Sequence, residues 1–310
     1  MIFEIFMIIL GFVLLILGAN VLVKGATNIA KIFSIPEILI GLTIVALGTS
    51  APELIITITS ASKGLSDLII GNAIGSNICN LLLILGLIAI IKPIKIDKEA
   101  KNIHIPISFL ATLIIFIMGL SGIISRMEGI ILLILFIVYF SYPILIEIKS
   151  VGTAISRPHG KNNILISILS ILIGVILLKY GGDFVVNYST KIAQRFNVSQ
   201  RVIGLTILSI GTSFPELVTS IVAVAKKDTD LAVGNIVGSC ILNLFLILGV
   251  GGLITPLSYT SKFNGNIVLL LFSTMLIWLF NFIGKKNTIG RVQGIILILI
   301  FLYYLTTLFI

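Results

Sequence analysis

The sequence predicts an all-α polytopic membrane protein, with ten transmembrane helices arranged as two inverted five-helix repeats and with broken helices near the membrane midplane. The first observation is composition, since 58% of the 310 residues are hydrophobic and only 11% are charged, which does not fit a soluble globule. The second is the presence of ten apolar stretches, each long enough to cross about 30 Å of hydrocarbon as a helix. The third is a duplication, in which residues 41–86 recur as residues 204–249.

The ten predicted helices follow the apolar stretches in chain order. We place them at residues 3–32, 37–62, 68–91, 103–124, 129–148, 164–195, 200–225, 231–254, 265–283 and 291–309. The first and sixth are unusually long, so each must tilt or extend beyond the membrane surface. Residues 149–163 contain Gly, Ser, Pro and His, a composition typical of a solvated linker. The chain therefore divides into a first repeat at 1–148, a linker at 149–163 and a second repeat at 164–310.

The duplication is carried by polar residues and by residues that break helices. Residues 48–53 are Gly-Thr-Ser-Ala-Pro-Glu, and residues 211–216 are Gly-Thr-Ser-Phe-Pro-Glu. A second motif, Gly-Asn-x-x-Gly-Ser-x-x-x-Asn, occupies residues 71–80 and recurs at residues 234–243. Chance similarity between apolar helices would match Leu and Ile, so these polar matches indicate an internal repeat. An odd number of helices separates equivalent points, so the second repeat enters the membrane from the opposite face, as is common in secondary transporters.

Charge predicts the orientation of the chain. The net charge of +9 lies in short loops between spans, which is expected from membrane insertion and does not indicate nucleic-acid binding. We count fourteen basic residues in the loops on the side away from the N-terminus and six on the N-terminal side. Because basic loops favour the cytoplasmic side, we expect both termini outside the cytoplasm and the linker inside it.

Most acidic residues lie at predicted helix ends or in loops, and only Glu53, Glu216 and Asp183 lie well inside apolar runs. A charge at that depth costs several kcal/mol unless it is solvated or paired. We expect no basic partner at comparable depth on the same helices, so the missing partner could be a cation from outside the protein. The alternative is a protonated carboxyl group that is hydrogen-bonded inside the bundle. Asp183 corresponds to Asn20 in the first repeat, and we assign it no role.

The residues around Glu53 favour the cation. Pro52 has no N–H group, so a carbonyl one turn earlier loses its helical partner and the turn opens. Thr49 and Ser50 lie four and three residues before Glu53, on the same helical face, and broken backbone at membrane depth is tolerated where it lines a cavity. Residues 211–216 repeat this arrangement. The alternative is an ordinary proline kink whose hydroxyls bond to their own helix, which does not explain the glutamate.

The next helix of each repeat carries a polar stripe on one face, because its polar residues recur every four positions. The stripes consist of Asn72, Ser76 and Asn80 in the first repeat and of Asn235, Ser239 and Asn243 in the second. Such stripes often join helices by hydrogen bonds, and the accompanying Gly-x-x-x-Gly motifs permit close helix approach. Because each stripe follows a buried glutamate motif, we take the Ser and the last Asn of each as candidate ligands. The first Asn of each could instead hydrogen-bond the broken backbone.

All of these candidate groups are oxygen donors, because no Cys or His accompanies them in both repeats. Carboxylate, hydroxyl, amide and carbonyl oxygens suit hard cations such as Ca²⁺ and Na⁺. Two glutamates carry two negative charges, which balance one Ca²⁺. Cys79 and Cys240 lie inside predicted spans, and we interpret both as small buried hydrophobic residues rather than as a disulfide or a metal site.

The doubled motif resembles the α-repeats of the cation/calcium antiporter superfamily and is most similar to those of prokaryotic and archaeal sodium/calcium exchangers. The resemblance covers the whole ten-helix arrangement. It implies a Na⁺/Ca²⁺ antiporter that works by alternating access, without a cofactor or an obligatory protein partner, in which the first and sixth helices slide against the other eight. It also implies a ligand set made of the Glu53 and Glu216 carboxylates, the hydroxyls of Thr49, Ser50, Ser76, Thr212, Ser213 and Ser239, the amides of Asn80 and Asn243, and backbone carbonyls near Ala46 and Ser209.

One departure from the family pattern is Asn243, where some archaeal sodium/calcium exchangers have Asp, so the central site here holds two formal charges rather than three. The Thr-Ser-x-Pro-Glu form resembles the sodium branch, since proton/calcium antiporters usually carry Asn-Ala-Thr-Glu there. A proton/calcium antiporter stays an alternative because a buried glutamate can carry a proton. A cation channel is disfavoured because channels usually place symmetric subunits around a continuous pore. An intramembrane enzyme is disfavoured because the predicted spans contain no paired Asp, His cluster or Ser–His pair.

Overall fold

The computed structural model describes residues 1–33, 35–151, 164–196, 209–283 and 287–307, without the side chains of residues 143–151, 193, 194 and 209. Most of the predicted linker and the first part of the helix predicted at 200–225 lie outside these residues. The described helices are α1 Ile2–Phe33, α2 Glu37–Thr49, α3 Ala51–Ser62, α4 Ser66–Ile91, α5 Ala100–Gly119, α6 Arg126–Val151, α7 Ile164–Arg195, α8 Ser209–Thr212, α9 Phe214–Ala225, α10 Thr229–Ile254, α11 Ser261–Phe280 and α12 Arg291–Thr307.

The protein has an all-helical membrane fold. Among the described residues, six helices are long and apolar enough to cross a membrane, or seven if α2 and α3 count as one bent span. The apolar helices α9 and α12 are shorter, with 12 and 17 residues. Many large hydrophobic side chains on α1, α6, α7 and α12 are exposed on the protein surface, as expected for helices that face lipid rather than water.

The two Pro-Glu motifs break their helices in the same way. The axis bends by 48° between α2 and α3, and the residue at the break, Ser50, has φ −85° and ψ 8°. The residue between α8 and α9 is Ser213, with φ −89° and ψ 5°. Pro52 and Pro215 each follow the break in the first turn of the next helix, where the missing N–H of proline does no harm. Both motifs therefore place a buried glutamate one residue after the proline, in the first turn of a helix.

Helices α4 and α10 also contain matching irregular turns. Each changes from α-helical to π-helical geometry at the end of its polar stripe, with π-helical turns at Cys79–Ile84 in α4 and at Asn243–Ile247 in α10. A third π-helical turn, Gly41–Val45, lies within α2. Single π-helical turns inside α-helices occur frequently at functional sites because they redirect side chains and free backbone groups.

Glycines bring α1 and α7 into direct backbone contact. A β-carbon added at Gly11 would lie 2.8 Å from the carbonyl oxygen of Gly181, and one added at Gly18 would lie 2.9 Å from that of Gly174. Gly25 continues the same face seven residues further along α1, where an added β-carbon would again meet a backbone carbonyl of α7 at 2.8 Å. The two long helices therefore form an antiparallel pair whose close approach depends on residues without side chains.

A second glycine contact joins the irregular turn of α2 to the polar helix α10. A β-carbon at Gly41 would lie 2.5 Å from the carbonyl oxygen of Leu231, and one at Gly238 would lie 2.5 Å from that of Leu42. The equivalent approach in the other repeat would involve residues 201–205, which lie outside the described part of the chain. The contact holds the first broken helix against the stripe of the second repeat.

Two short antiparallel strand pairs connect the halves of the sequence. Strand β1, Ile94–Lys95, pairs with β4, Thr288–Ile289, and β2, Ile123–Ile124, pairs with β3, Leu257–Ser258. The predicted helix at 103–124 was therefore too long, because α5 ends at Gly119. The chain turns at Gly122, which has φ +82°, and the two isoleucines that follow continue the apolar pattern as strand β2 rather than as helix.

Candidate cation site

The polar residues of both repeats meet where the two broken helices contact α4 and α10. Glu53 and Glu216 are each only 1% exposed, and their carboxyl groups lie close enough to interact electrostatically. Both side chains leave the first turn of a helix, where the helix dipole favours negative charge. The structure thus buries two carboxyl groups, one from each repeat, inside the protein.

Ser50 connects the first break to the carboxyl group of the second repeat. Its hydroxyl donates a hydrogen bond to Oε1 of Glu216 at 2.9 Å and lies 3.2 Å from the hydroxyl of Ser239. Ser50 and Ser239 are both buried. The break at Ser50 and the stripe of α10 therefore face the same space.

The first asparagine of each stripe holds a threonine of the opposite repeat. Thr49 donates to Oδ1 of Asn235 at 3.1 Å, and Thr212 donates to Oδ1 of Asn72 at 3.5 Å. Asn235 also donates to the hydroxyl of Ser220 at 3.1 Å and to the backbone carbonyl of Glu216 at 3.5 Å. Asn235 therefore ties α9 to α10.

Many buried oxygens around this space have no hydrogen-bond partner among the described residues. Unpaired buried polar atoms are rare and destabilising, so a cluster of them needs an explanation. A cation that enters the space without its water would satisfy several of them together. The unpaired oxygens are both carboxylate oxygens of Glu53, Oε2 of Glu216, the hydroxyls of Ser76, Ser213, Thr57 and Thr219, and the amide oxygens of Asn80 and Asn243.

The chemistry of these atoms matches a hard cation. Among the described side chains, no three His, Cys, Asp or Glu residues come together in a group that could hold a metal. The donor set is therefore two carboxylates supplemented by neutral hydroxyl and amide oxygens, which suits Ca²⁺ or Na⁺ better than Zn²⁺ or Cu²⁺. Cys79 and Cys240 are buried free thiols, consistent with their interpretation as small hydrophobic residues.

The predicted ligand set also includes two backbone carbonyls, near Ala46 and Ser209. The carbonyl of Ala46 accepts from the backbone N–H of Ser50 at 2.9 Å and from the hydroxyl of Thr49 at 3.3 Å. It thus lies at the break while bonding within its own helix. Ser209 begins α8, and its side chain lies outside the described atoms.

Comparison with known proteins identifies the family. A sequence model of the sodium/calcium exchanger protein family matches residues 3–145 and 166–310. The chain belongs to the sodium/calcium exchanger family. It is therefore a multi-pass membrane transporter of cations, with calcium among them, and not an enzyme.

Related proteins match this exchanger along almost its whole length. The putative antiporter CaxA of Alkalimonas amylolytica is 35% identical and the match covers 97% of each chain. The sodium/calcium exchanger MaX1 of Methanosarcina acetivorans is 29% identical, again over 97% of each chain. A structure of the sodium-calcium exchanger NCX_Mj soaked with Na⁺ and Sr²⁺ superposes with a TM-score of 0.86 at 33% identity, covering 98% of this chain and 97% of that one.

The exchanger also has buried polar residues beside the candidate site that the sequence motifs did not identify. Asn77 is completely buried and donates to the backbone carbonyl of Cys240 at 3.0 Å, while it accepts from Asn243 at 2.9 Å. It lies one residue after Ser76, outside the four-residue spacing of the stripe, and its counterpart in the second repeat is Cys240. Thr57 could have been predicted to lie near Glu53 from the sequence, because it follows Glu53 by four positions and shares its helical face.

The expectation that Asp183 lacks a basic partner is wrong. Lys179 lies one turn earlier on α7, and its Nζ is 3.9 Å from Oδ2 of Asp183. The pair borders a cavity of about 120 Å³ that is also lined by Thr212 and by the two motif prolines, Pro52 and Pro215. The cavity therefore adjoins both broken helices of the exchanger.

Proposed function

We propose that this protein exchanges Na⁺ for Ca²⁺ by alternating access and expels Ca²⁺ from the cytoplasm, without a cofactor or an obligatory protein partner. The observation that carries the proposal is the set of unpaired buried oxygens from both repeats around Glu53 and Glu216. The two carboxylates offset the charge of one Ca²⁺, and the neutral oxygens complete the six to eight ligands that Ca²⁺ takes.

The proposed ligand set contains side chains of both repeats at equivalent positions. We propose that each of them contributes an oxygen to the space around the two carboxyl groups. The set consists of Glu53, Glu216, Thr49, Ser50, Thr212, Ser213, Ser76, Ser239, Asn80 and Asn243, with backbone carbonyls at Ala46 and Ser209.

Competition between the two ions explains exchange. Na⁺ also prefers oxygen ligands, and several Na⁺ ions could use the same oxygens only when Ca²⁺ is absent. Binding of one ion then excludes the other, so each ion favours the state of the protein that it occupies. This follows because a ligand shifts an equilibrium only through its different affinities for the two states. If three Na⁺ replace one Ca²⁺, as the resemblance implies, one net charge moves per cycle and the membrane potential contributes about 2.3 kcal/mol per 100 mV.

We also propose the ten-helix inverted-repeat arrangement, with repeats at 1–148 and 164–310 and α-repeats at 41–86 and 204–249. Two features support it. The breaks at Ser50 and Ser213 have nearly the same backbone angles, and the strand pairs join the first repeat to the second twice. The excess of basic residues in the loops on the side away from the N-terminus supports extracellular termini and a cytoplasmic linker.

The packing of α1 and α7 supports their movement as one unit. Their backbones meet along a glycine face, which holds the two helices tightly together, so we propose that they slide as a pair on the remaining helices. The cavity beside Thr212 adjoins α7, and its residues Ile56 and Gly211 lie on the predicted outer side of Pro52 and Pro215. We assign this cavity as part of the outer entrance to the cation site.

The proposal is tested by Ca²⁺ uptake into vesicles that contain the purified protein. Vesicles loaded with Na⁺ and diluted into choline should take up Ca²⁺ at fixed pH, and an inside-negative potential should slow the uptake if more than two Na⁺ leave per Ca²⁺. Vesicles without Na⁺ should take up little Ca²⁺ when only a pH gradient is imposed. Full uptake in choline, driven by the pH gradient alone, would assign the protein to the proton/calcium branch.

A further inference from the structure

Asn77 occupies a position between the backbone of α10 and one of the candidate ligands. It is completely buried in α4. Its Nδ2 donates a hydrogen bond to the backbone carbonyl of Cys240 at 3.0 Å. Its Oδ1 accepts a hydrogen bond from Nδ2 of Asn243 at 2.9 Å. Asn77 thus bonds at one end to the main chain and at the other end to a side chain of the cation site.

These two contacts determine which way each amide points. A backbone carbonyl can only accept, so the NH₂ group of Asn77 must face Cys240 and its oxygen must face Asn243. An amide oxygen also can only accept, so the NH₂ group of Asn243 must face Asn77. The oxygen of Asn243 is then directed away from Asn77, where it is buried and lacks a hydrogen-bond partner among the described residues.

We propose that Asn77 is a positioning residue for cation binding, which orients Asn243 so that its carbonyl oxygen rather than its NH₂ group faces the cation. The inference rests on the proposed function of this site as a cation cage. An NH₂ group turned toward a cation would be repulsive, since it carries partial positive charge, whereas the oxygen is a ligand that Ca²⁺ prefers. Asn77 therefore keeps the neutral amide of Asn243 oriented as a ligand, at a position that has no carboxylate.

The duplication provides a comparison, because the equivalent position in the other repeat lacks the asparagine that orients the amide. Asn80 corresponds to Asn243, and Cys240 corresponds to Asn77. The thiol of Cys240 adjoins Asn80, but a thiol is a weak hydrogen-bonding group. Neither the oxygen nor the nitrogen of the Asn80 amide has a conventional partner among the described residues. Asn243 is thus held in one orientation, while Asn80 can turn to suit the bound ion.

The test is Ca²⁺ binding to the purified, detergent-solubilised protein, measured by isothermal titration calorimetry with Asn77→Leu and Asn77→Cys. Leucine has a similar size but no polar group, and cysteine is the residue at the equivalent place in the second repeat. We expect either change to raise the Kd for Ca²⁺ about tenfold, because Asn243 loses its fixed orientation. The matched control is Thr274→Val, since Thr274 is buried but donates only to a carbonyl of its own helix, that of Leu270, and should retain the wild-type Kd.

A double-mutant cycle separates positioning from a general structural role. In an Asn243→Ala background there is no amide to orient, so Asn77→Leu should change the Kd less than twofold further. A tenfold effect of Asn77→Leu that persists in that background, or a wild-type Kd in both Asn77 variants, would overturn the inference. If the leucine variant fails to fold, the cysteine variant gives the same comparison. Because the readout is Ca²⁺ binding, it is independent of whether Na⁺ or H⁺ drives transport.

Discussion

Ser50 of the first repeat donates a hydrogen bond to Glu216 of the second, with 2.9 Å between Oγ and Oε1. Each residue belongs to its own Pro-Glu motif, so the contact links the two broken helices directly. Any movement that separates the broken helices must break this bond. The candidate cation site is therefore shared between the repeats and is not formed by either one alone.

The contact predicts that Ser50→Ala weakens ion binding. The change removes a donor to a buried carboxyl group, and hydrogen bonds to charged groups contribute about 1.5–3 kcal/mol. We expect roughly a tenfold rise in the concentration of Na⁺ or Ca²⁺ that gives half-maximal exchange in vesicles. Ser62→Ala is the control, because Ser62 is exposed and donates only to the carbonyl of Thr59. Equal behaviour of the two variants would remove Ser50 from the site.

The carboxyl groups predict a larger effect. Glu53→Gln and Glu216→Gln each remove one negative charge that offsets Ca²⁺, and removing one partner of a buried charge interaction costs about 3–5 kcal/mol. We expect Ca²⁺ exchange in vesicles to fall by at least about 100-fold in either variant. The proteins should still fold, since a neutral amide is easier to bury than a charge. Asp67→Asn, at an exposed acid in the first turn of α4, should exchange normally, and near-normal exchange in both glutamine variants would exclude the glutamates from transport.

Much of this site could be predicted from the sequence, because the motifs occur twice. The breaks before Glu53 and Glu216 follow from proline chemistry, which acts on its own helix and needs no tertiary information. The stripe serines and asparagines were recognisable by a spacing of four residues along a single helix. Local rules of this kind also led to Glu53 and Glu216, which the structure buries.

Contacts between helices could not be predicted in the same way. Asn77 lies next to the stripe, and its role depends on how α4 and α10 cross, which brings it to the backbone of Cys240. The end of α5 at Gly119 depends on strand pairing between Ile124 and Leu257, far apart in sequence. The pairing of Lys179 with Asp183, in contrast, could have been predicted, because it follows from the local spacing of four residues.

Orientation in the membrane is a separate prediction from the loop charges. Single cysteines introduced at Gly160 in the linker and at Ile310 should differ in their reaction with an impermeant thiol reagent on intact cells. Only the cysteine at position 310 should be labelled if both termini are extracellular. The native Cys79 and Cys240 are buried and should not contribute to the signal. Labelling at position 160 alone would reverse the orientation.

The cavity beside α7 predicts opposite effects for the two members of its ion pair. A negative charge near an entrance raises the local cation concentration, and a positive charge lowers it. Asp183→Asn should therefore raise the external Ca²⁺ concentration for half-maximal exchange by about two- to fivefold at low ionic strength, whereas Lys179→Gln should lower it. Both effects should shrink in high salt, where the Debye length falls to about 3 Å at 1 M, and the maximal rate should not change. Shifts in the same direction, or shifts that are insensitive to salt, would exclude an electrostatic role at the entrance.

The central claim is that Na⁺ and Ca²⁺ compete for one cage that both repeats build. The most direct measurement is Ca²⁺ binding to the purified protein by calorimetry, as Na⁺ replaces choline at constant ionic strength and pH. We expect the apparent Kd for Ca²⁺ to rise with Na⁺ more steeply than in proportion to its concentration, because more than one Na⁺ occupies the cage, while the number of Ca²⁺ sites stays the same. A Kd that does not depend on Na⁺, or simultaneous binding of both ions, would contradict the shared cage.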